Sequence, residues 1–205
     1  MVRLKQVVIL QSETTKPEII LVGGGGHCRS VIDVIELQDT YKILGIVDLP
    51  QNVGKTVLGY PVLGDDAQLS VLYKKAHQAV ITIGHIKDNA ARVRVYEQLK
   101  KTGYTLPVII SPLAYVSKYA KIGEGTVVMH HAIVNANAEV GVNCIINTKA
   151  LVEHDAVIEN HCHIATAAVI NGGVRVCENS FVGSNVTSKQ GVVVSGFIKA
   201  GSIVK

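Results

Sequence analysis

The sequence predicts two structural units of different class: an α/β unit over residues 1–107, then an all-β parallel helix of six-residue repeats over 108–205. Two periodicities and one loop predict it. From Val116, every sixth residue through Val182 is Val or Ile, twelve in succession. From Ala114, a second six-residue series through Ser180 holds small residues, with Val174 the one exception. Upstream, apolar runs alternate with stretches of helical spacing, and the first run ends in Gly23-Gly24-Gly25-Gly26. Strand–helix alternation implies a parallel sheet with helices laid on it.

The elements follow in order. Residues 18–22 are apolar and β-rich and read as a strand; after the glycines, residues 30–37 carry apolar side chains at helical spacing. Residues 42–48 read as a second strand and 79–84 as another; 89–99 form a charged helix, and 106–109 a last strand of this unit. In the second half, each hexad makes one short strand and one corner, and three hexads close a triangular coil of about 18 residues. The branched residue points inward and the small residue fits where the corner narrows. Coils stack about 4.8 Å apart, and about 90 residues give about five coils. Cys144 and Cys162, 18 positions apart, stack inside as packing. His161 and His163, read as strand neighbours, share one face with Cys162 on the other, so the three do not converge on one ion.

Composition narrows the function. Hydrophobic residues at 48% with 18% charged support a core and exclude a disordered chain, and 4% aromatics leave the interior to Val, Ile, Leu and Ala. A net charge of +4, scattered and without interleaved aromatics, gives no nucleic-acid surface. The four cysteines form no C-x-x-C pair, and neither a signal peptide nor a membrane span is visible; a reducing cytoplasm is the expected setting. Residues Gly23–Gly26 end a strand and open a helix, where backbone N–H groups suit a phosphate. The full G-x-G-x-x-G spacing is absent, since Arg29 stands three after Gly26. Asp48, about 20 residues on, is placed to accept from a ribose or a base edge.

Taken together, Gly23 to Cys28, Val31-Ile32-Asp33, Gly45-Ile46-Val47-Asp48, Ile83-Gly84 and the segment from Ile146-Asn147-Thr148 to Glu153-His154-Asp155 resemble one family over nearly the whole chain. It is the group of sialic-acid O-acetyltransferases and nucleotide-linked 4-amino-sugar N-acetyltransferases. The resemblance implies a Rossmann-like nucleotide-sugar domain and a left-handed β-helix, assembled as a homotrimer with acetyl-CoA in the groove between prisms and no metal. It implies His154 as general base, with Asp155 raising its basicity. It implies His163 at the thioester end of the cofactor, with Gly172, Ser184 and Ala200 along the groove, and Gly25, Gly26, His27, Asp48 and Gly84 on the nucleotide sugar. Two departures stand out: Cys28 replaces a usual Gly or Ala, and the sequence stops at Ile203-Val204-Lys205 where a Gly-x-Pro-Ala-Lys tail is common.

The expected reaction is acetyl transfer to the amine of a nucleotide-linked sugar by direct attack, which needs a base to take the amine proton. Gly172 is a candidate for the oxyanion site, because glycine permits close approach. Transfer to a hydroxyl of sialic acid or a related sugar is the alternative. More distant readings are a γ-type carbonic anhydrase, which needs three histidines on one metal ion, and a scaffold trimer without catalysis. Of five histidines in the repeats (His130, His131, His154, His161 and His163), only the Glu-His-Asp motif singles out His154.

Overall fold

A computed structural model describes residues 16–205; the N-terminal stretch read for a signal peptide lies mostly outside them. The first unit runs β1 (Glu18–Val22), α1 (Gly26–Gln38), β2 (Lys42–Val47), β3 (Thr56–Val57), β4 (Tyr60–Gly64), α2 (Leu69–Leu72), β5 (Gln78–Ile81) and α3 (Ala90–Thr102). The sheet order is β3-β4-β2-β1-β5. Successive residues of a strand point to opposite faces, and the core divides accordingly. Ile19, Leu21 and Val80 pack with Cys28, Val31, Val34 and Ile35 of α1. Ile20, Val22, Ala79 and Ile81 pack with Leu69, Leu72, Val95 and Leu99 of α2 and α3. β1 is covered on both faces, which is why it reads as an unbroken apolar run.

Two expectations change here. The sheet is mixed: β3 pairs antiparallel with β4 through Leu58-Gly59, both at positive φ (47° and 86°), a two-residue turn that the sequence does not announce with Asn-Gly. The strand expected at 106–109 belongs instead to the second unit, since Ile109 and Ile110 pair with Val127 and Val128.

The second unit is a triangular prism of three parallel sheets, the arrangement of a left-handed β-helix. Its first face carries Ile109–Ile110, Val127–Val128, Ile145–Ile146, His163–Ile164, Phe181–Val182 and Phe197–Ile198. The second runs from Tyr115–Val116 to Ile203–Val204, and the third from Lys121–Ile122 to Val193–Val194. Strands pair 18 residues apart, as in Ile133 with Leu151. In the last coil the offset falls to 16, with Phe181 against Phe197 and Thr187 against Ile203. The two six-residue series form the interior: Val134, Ile146, Val152, Ile164 and Ile170 are fully buried, as are Ala132, Cys144, Ala150 and Cys162. Both of these cysteines are free, and each thiol donates to a backbone carbonyl of its own prism.

A third series turns the corners. Every sixth residue from Gly125 to Gly191 has φ between 54° and 69°. Glycine, Asn and Asp fill most of these positions, as the left-handed region favours. His161 is one of them (φ 59°), which corrects its reading as a strand neighbour of His163. The first unit lies on the first face of the prism, where Ile109, Val127 and Met129 join the α1 core.

Candidate active site

Between β1 and α1 the glycines do different work. A Cβ on Gly23 (φ 107°) would sit 2.5 Å from Ile83 Cγ1, and one on Gly24 2.7 Å from Asp48 Oδ2. Gly25 and Gly26 face open space. Among the described residues no side chain caps α1, and no acidic residue lies in its first turn, so the helix presents bare N–H groups and the positive end of its dipole. A cavity of about 450 Å³ opens there, lined by Gly23 to His27, Asp48, Leu49, Thr82, Gly84, Asp66 and Arg94. It gathers all five expected nucleotide-sugar residues. Sequence reasoning missed Asp66 and Arg94, which form an ion pair at 3.6 Å, and Asn52, which donates to Asp48 Oδ2 at 2.8 Å.

A second cavity of about 630 Å³ shares Gly26, His27 and Gly84 with the first. It continues over Ser30, His85 and Ile86 to Asn147, Thr148, His163 and Thr166 of the prism. His163 is buried; its Nδ1–H donates to the His85 carbonyl at 2.7 Å and its Nε2 accepts from Asn147 at 3.1 Å. Its ring also packs edge-on against those of His85 and Phe181. Burial, helped by the Arg92 guanidinium, pushes the imidazoles of His27 and His85 down to about 3 and that of His163 to about 4. All three are therefore neutral at physiological pH. Arg92, fully buried, donates to the carbonyls of Ile81 (2.7 Å), Ile83 (2.9 Å) and Asn143 (3.2 Å), tying the end of β5 to the prism.

His154 lies on a different edge. It follows the strand Leu151–Val152 at the corner between the second and third faces, whereas the second cavity reaches the prism at His163 of the first face and the first cavity is lined by the α/β unit. His154 is exposed, and Asp155 takes the left-handed corner position (φ 60°), its carboxylate 2.7 Å from His154 Nδ1. Nδ1–H donates to that carboxylate, leaving the Nε2 lone pair outward. The hydrogen bond to Asp155 raises the His154 pKa, and Asn137 and His154 together lower that of Asp155. Gly172, one coil above, stands against the ring: a Cβ there would lie 2.8 Å from both Cε1 and Nε2.

The residues expected along the cofactor groove are thus divided. Gly172 joins His154. Ser184 and Ala200 lie on the edge between the first and second faces, one edge with Thr148 and Thr166, where Gly201 N–H donates to the Ser184 carbonyl at 2.9 Å. Among the described residues, no group of three or more His, Cys, Asp or Glu is arranged to hold a metal, and no helix is long and apolar enough to cross a membrane.

The PglD N-terminal domain family matches residues 18–99. A variant of GDP-perosamine N-acetyl transferase from Caulobacter crescentus, in complex with CoA and GDP-perosamine, is 32% identical with a TM-score of 0.86, covering 92% of this chain and 88% of its own. The acetyltransferase domain of PglB from Neisseria gonorrhoeae, in complex with acetyl coenzyme A, is 30% identical with a TM-score of 0.83, covering 92% and 93%. WeeI from Acinetobacter baumannii, 21% identical with a TM-score of 0.72, shares the fold. No curated protein matches by sequence. With a PglD-type domain set on a hexapeptide prism, and relatives of this identity aligned along nearly its whole length, the chain belongs to the sugar N-acetyltransferase family of acyltransferases.

Proposed function

We propose that this protein transfers the acetyl group of acetyl-CoA to the amine of a nucleotide-linked 4-amino sugar, with His154 as general base. The observation that carries this reading is the His154–Asp155 pair at 2.7 Å, its outer nitrogen beside Gly172 on an open edge of the prism. His154 Nε2 takes a proton from the amine as nitrogen attacks the thioester carbonyl. The C–S bond then breaks, and the imidazolium returns its proton to the departing thiolate. Asp155 holds the ring by Nδ1 and stabilises the imidazolium. Gly172 leaves room for the thioester over the ring. The nucleotide occupies the first cavity, its phosphates at the N-terminus of α1.

Because His154 lies on a different edge from the cavities, one chain holds half of the site. The outward side chains of the second face, among them Tyr115 (58% exposed), Ile133 (38%) and Ile203 (71%), form an apolar ladder, whereas the third face carries Lys121, Glu139 and Arg175. Apolar surface of this kind favours closed association. A cyclic homotrimer with second faces toward its axis sets the Thr148–Ser184–Ala200 edge of one copy beside the His154–Gly172 edge of the next. The acetyl-CoA groove lies between them.

Thioester consumption with acetyl-CoA against a panel of GDP- and UDP-linked amino sugars tests the reading, with hydroxyl sugars as the contrast. Amine acceptors should turn over, and His154→Ala should lose about 10²–10⁴-fold. Full turnover by His154→Ala, or a monomer in sedimentation at micromolar concentration, would sink it.

A further inference from the structure

The two joined cavities differ in chemistry. Asp48, Asp66, Arg94 and the N-terminus of α1 give the first its charge. Among the described residues the second has no charged side chain in its lining; it offers the hydroxyls of Ser30, Thr148 and Thr166, the amide of Asn147 and the neutral rings of His27, His85 and His163. Within that lining, His85 is 7% exposed, and among the described residues neither of its ring nitrogens, nor Nε2 of His27, has a partner. Buried polar atoms are nearly always hydrogen-bonded, to protein, water or ligand. The ring is fixed from behind, edge-on to His163 at 5.2 Å and to Phe181 at 6.4 Å between centroids.

We infer that His85 is a specificity-determining residue for the acceptor, reading hydroxyl groups of the sugar ring where a nucleotide-linked sugar passes from the first cavity into the second. This rests on the proposed function. A neutral imidazole offers one donor and one acceptor, and a hydroxyl is both, so each nitrogen finds a complement on a polyhydroxylated ring. Burial keeps the cluster uncharged, and the buried Arg92 guanidinium, whose hydrogen-bond partners are carbonyls rather than carboxylates, adds to it and disfavours a cation beside it. The charged nucleotide stays in the first cavity and the sugar ring enters the second, where surroundings that disfavour a cation favour its 4-amino group as the neutral amine that attacks.

Calorimetric titration of the full chain separates the two parts of the ligand. The probes are GDP against GDP-perosamine, and UDP against a UDP-linked 4-amino sugar. His85→Phe keeps the aromatic packing and removes both nitrogens; His85→Gln restores a donor and an acceptor. Bare nucleotide should bind both variants within about twofold of the original protein. The nucleotide sugar should lose about tenfold with His85→Phe and less with His85→Gln, as expected for one or two hydrogen bonds. Unchanged affinity for the nucleotide sugar, or an equal loss for nucleotide and nucleotide sugar, overturns the inference. If the original protein binds neither pair, the functional reading itself falls, an outcome distinct from tight binding that ignores His85. Should His85→Phe fail to fold, the nucleotide against nucleotide-sugar comparison in His85→Gln decides alone.

Discussion

Gly172→Ala tests whether the imidazole of His154 works where the structure puts it. The new Cβ would lie 2.8 Å from Cε1 and Nε2, and ordinary contact begins at 3.4 Å, so the ring must retreat by about 0.6 Å. Gly172 is buried, but the His154 ring it faces is exposed and can swing, so the clash is relieved at the ring and the fold should lose little. The swing breaks the 2.7 Å bond to Asp155 or moves Nε2 off the line of attack. Misplacement by about 1 Å can cost about 10²-fold, so a 0.6 Å shift should lower kcat by about 10- to 100-fold, or about 1.4–2.7 kcal/mol of barrier. The assay is steady-state thioester cleavage beside a thermal melt. A kcat within twofold of the original protein would refute the placement of the base; a melting point down by more than about 5 °C would show that the clash is relieved by the prism and not by the ring.

Asp155→Asn removes the group that raises the His154 pKa. The active base is neutral imidazole, so rate rises with pH through its pKa; without Asp155 the acidic limb of kcat/KM should move to lower pH, and the plateau should fall as the ring loses its orienting partner. A limb that stays in place sinks the pairing. Ile133→Asp puts a charge in the exposed apolar ladder of the second face and should yield monomers in sedimentation with turnover lost and circular dichroism unchanged. Arg92→Met orphans the carbonyls of Ile81, Ile83 and Asn143 and should cost about 3 kcal/mol, seen as a melting point lower by about 6–12 °C. A shift under about 2 °C would mean that those carbonyls find other partners.

The prism was legible because its physics is periodic: one inward Val or Ile and one small residue per hexad leave no other register. The corner series was equally legible in Asn137, Asn143, Gly173, Asn179 and Asn185, and it would have placed His161 at a turn. Gly172 over His154 follows from an 18-residue spacing, and the separation of His154 from His163 follows from a spacing of nine, half a coil. The hairpin at Leu58-Gly59 was hidden because Leu in the left-handed region is rare and only the fold compels it. His85, Asp66 and Arg92 were hidden for another reason. The roles of His85 and Arg92 arise where α3 and the end of β5 meet the prism, that of Asp66 where it faces Arg94 of α3 across the first cavity, and no local pattern records which long-range partner a side chain will face.

The step from 18 to 16 residues in the last coil has a bearing on where this chain can vary. Strand side chains alternate inside and outside, so a one-residue change within a strand would turn the branched residues to solvent and bring their polar neighbours into the prism. The two residues are lost between the strands Val193–Val194 and Phe197–Ile198, at a corner, and Ile198 and Val204 still pack against the interior. Corners are therefore the joints at which length is negotiable, and strands are not. Insertions should be accepted at positions such as Asn137 or Asn185, which makes the edges, where the proposed chemistry sits, the one part of the prism free to be remodelled without disturbing its core.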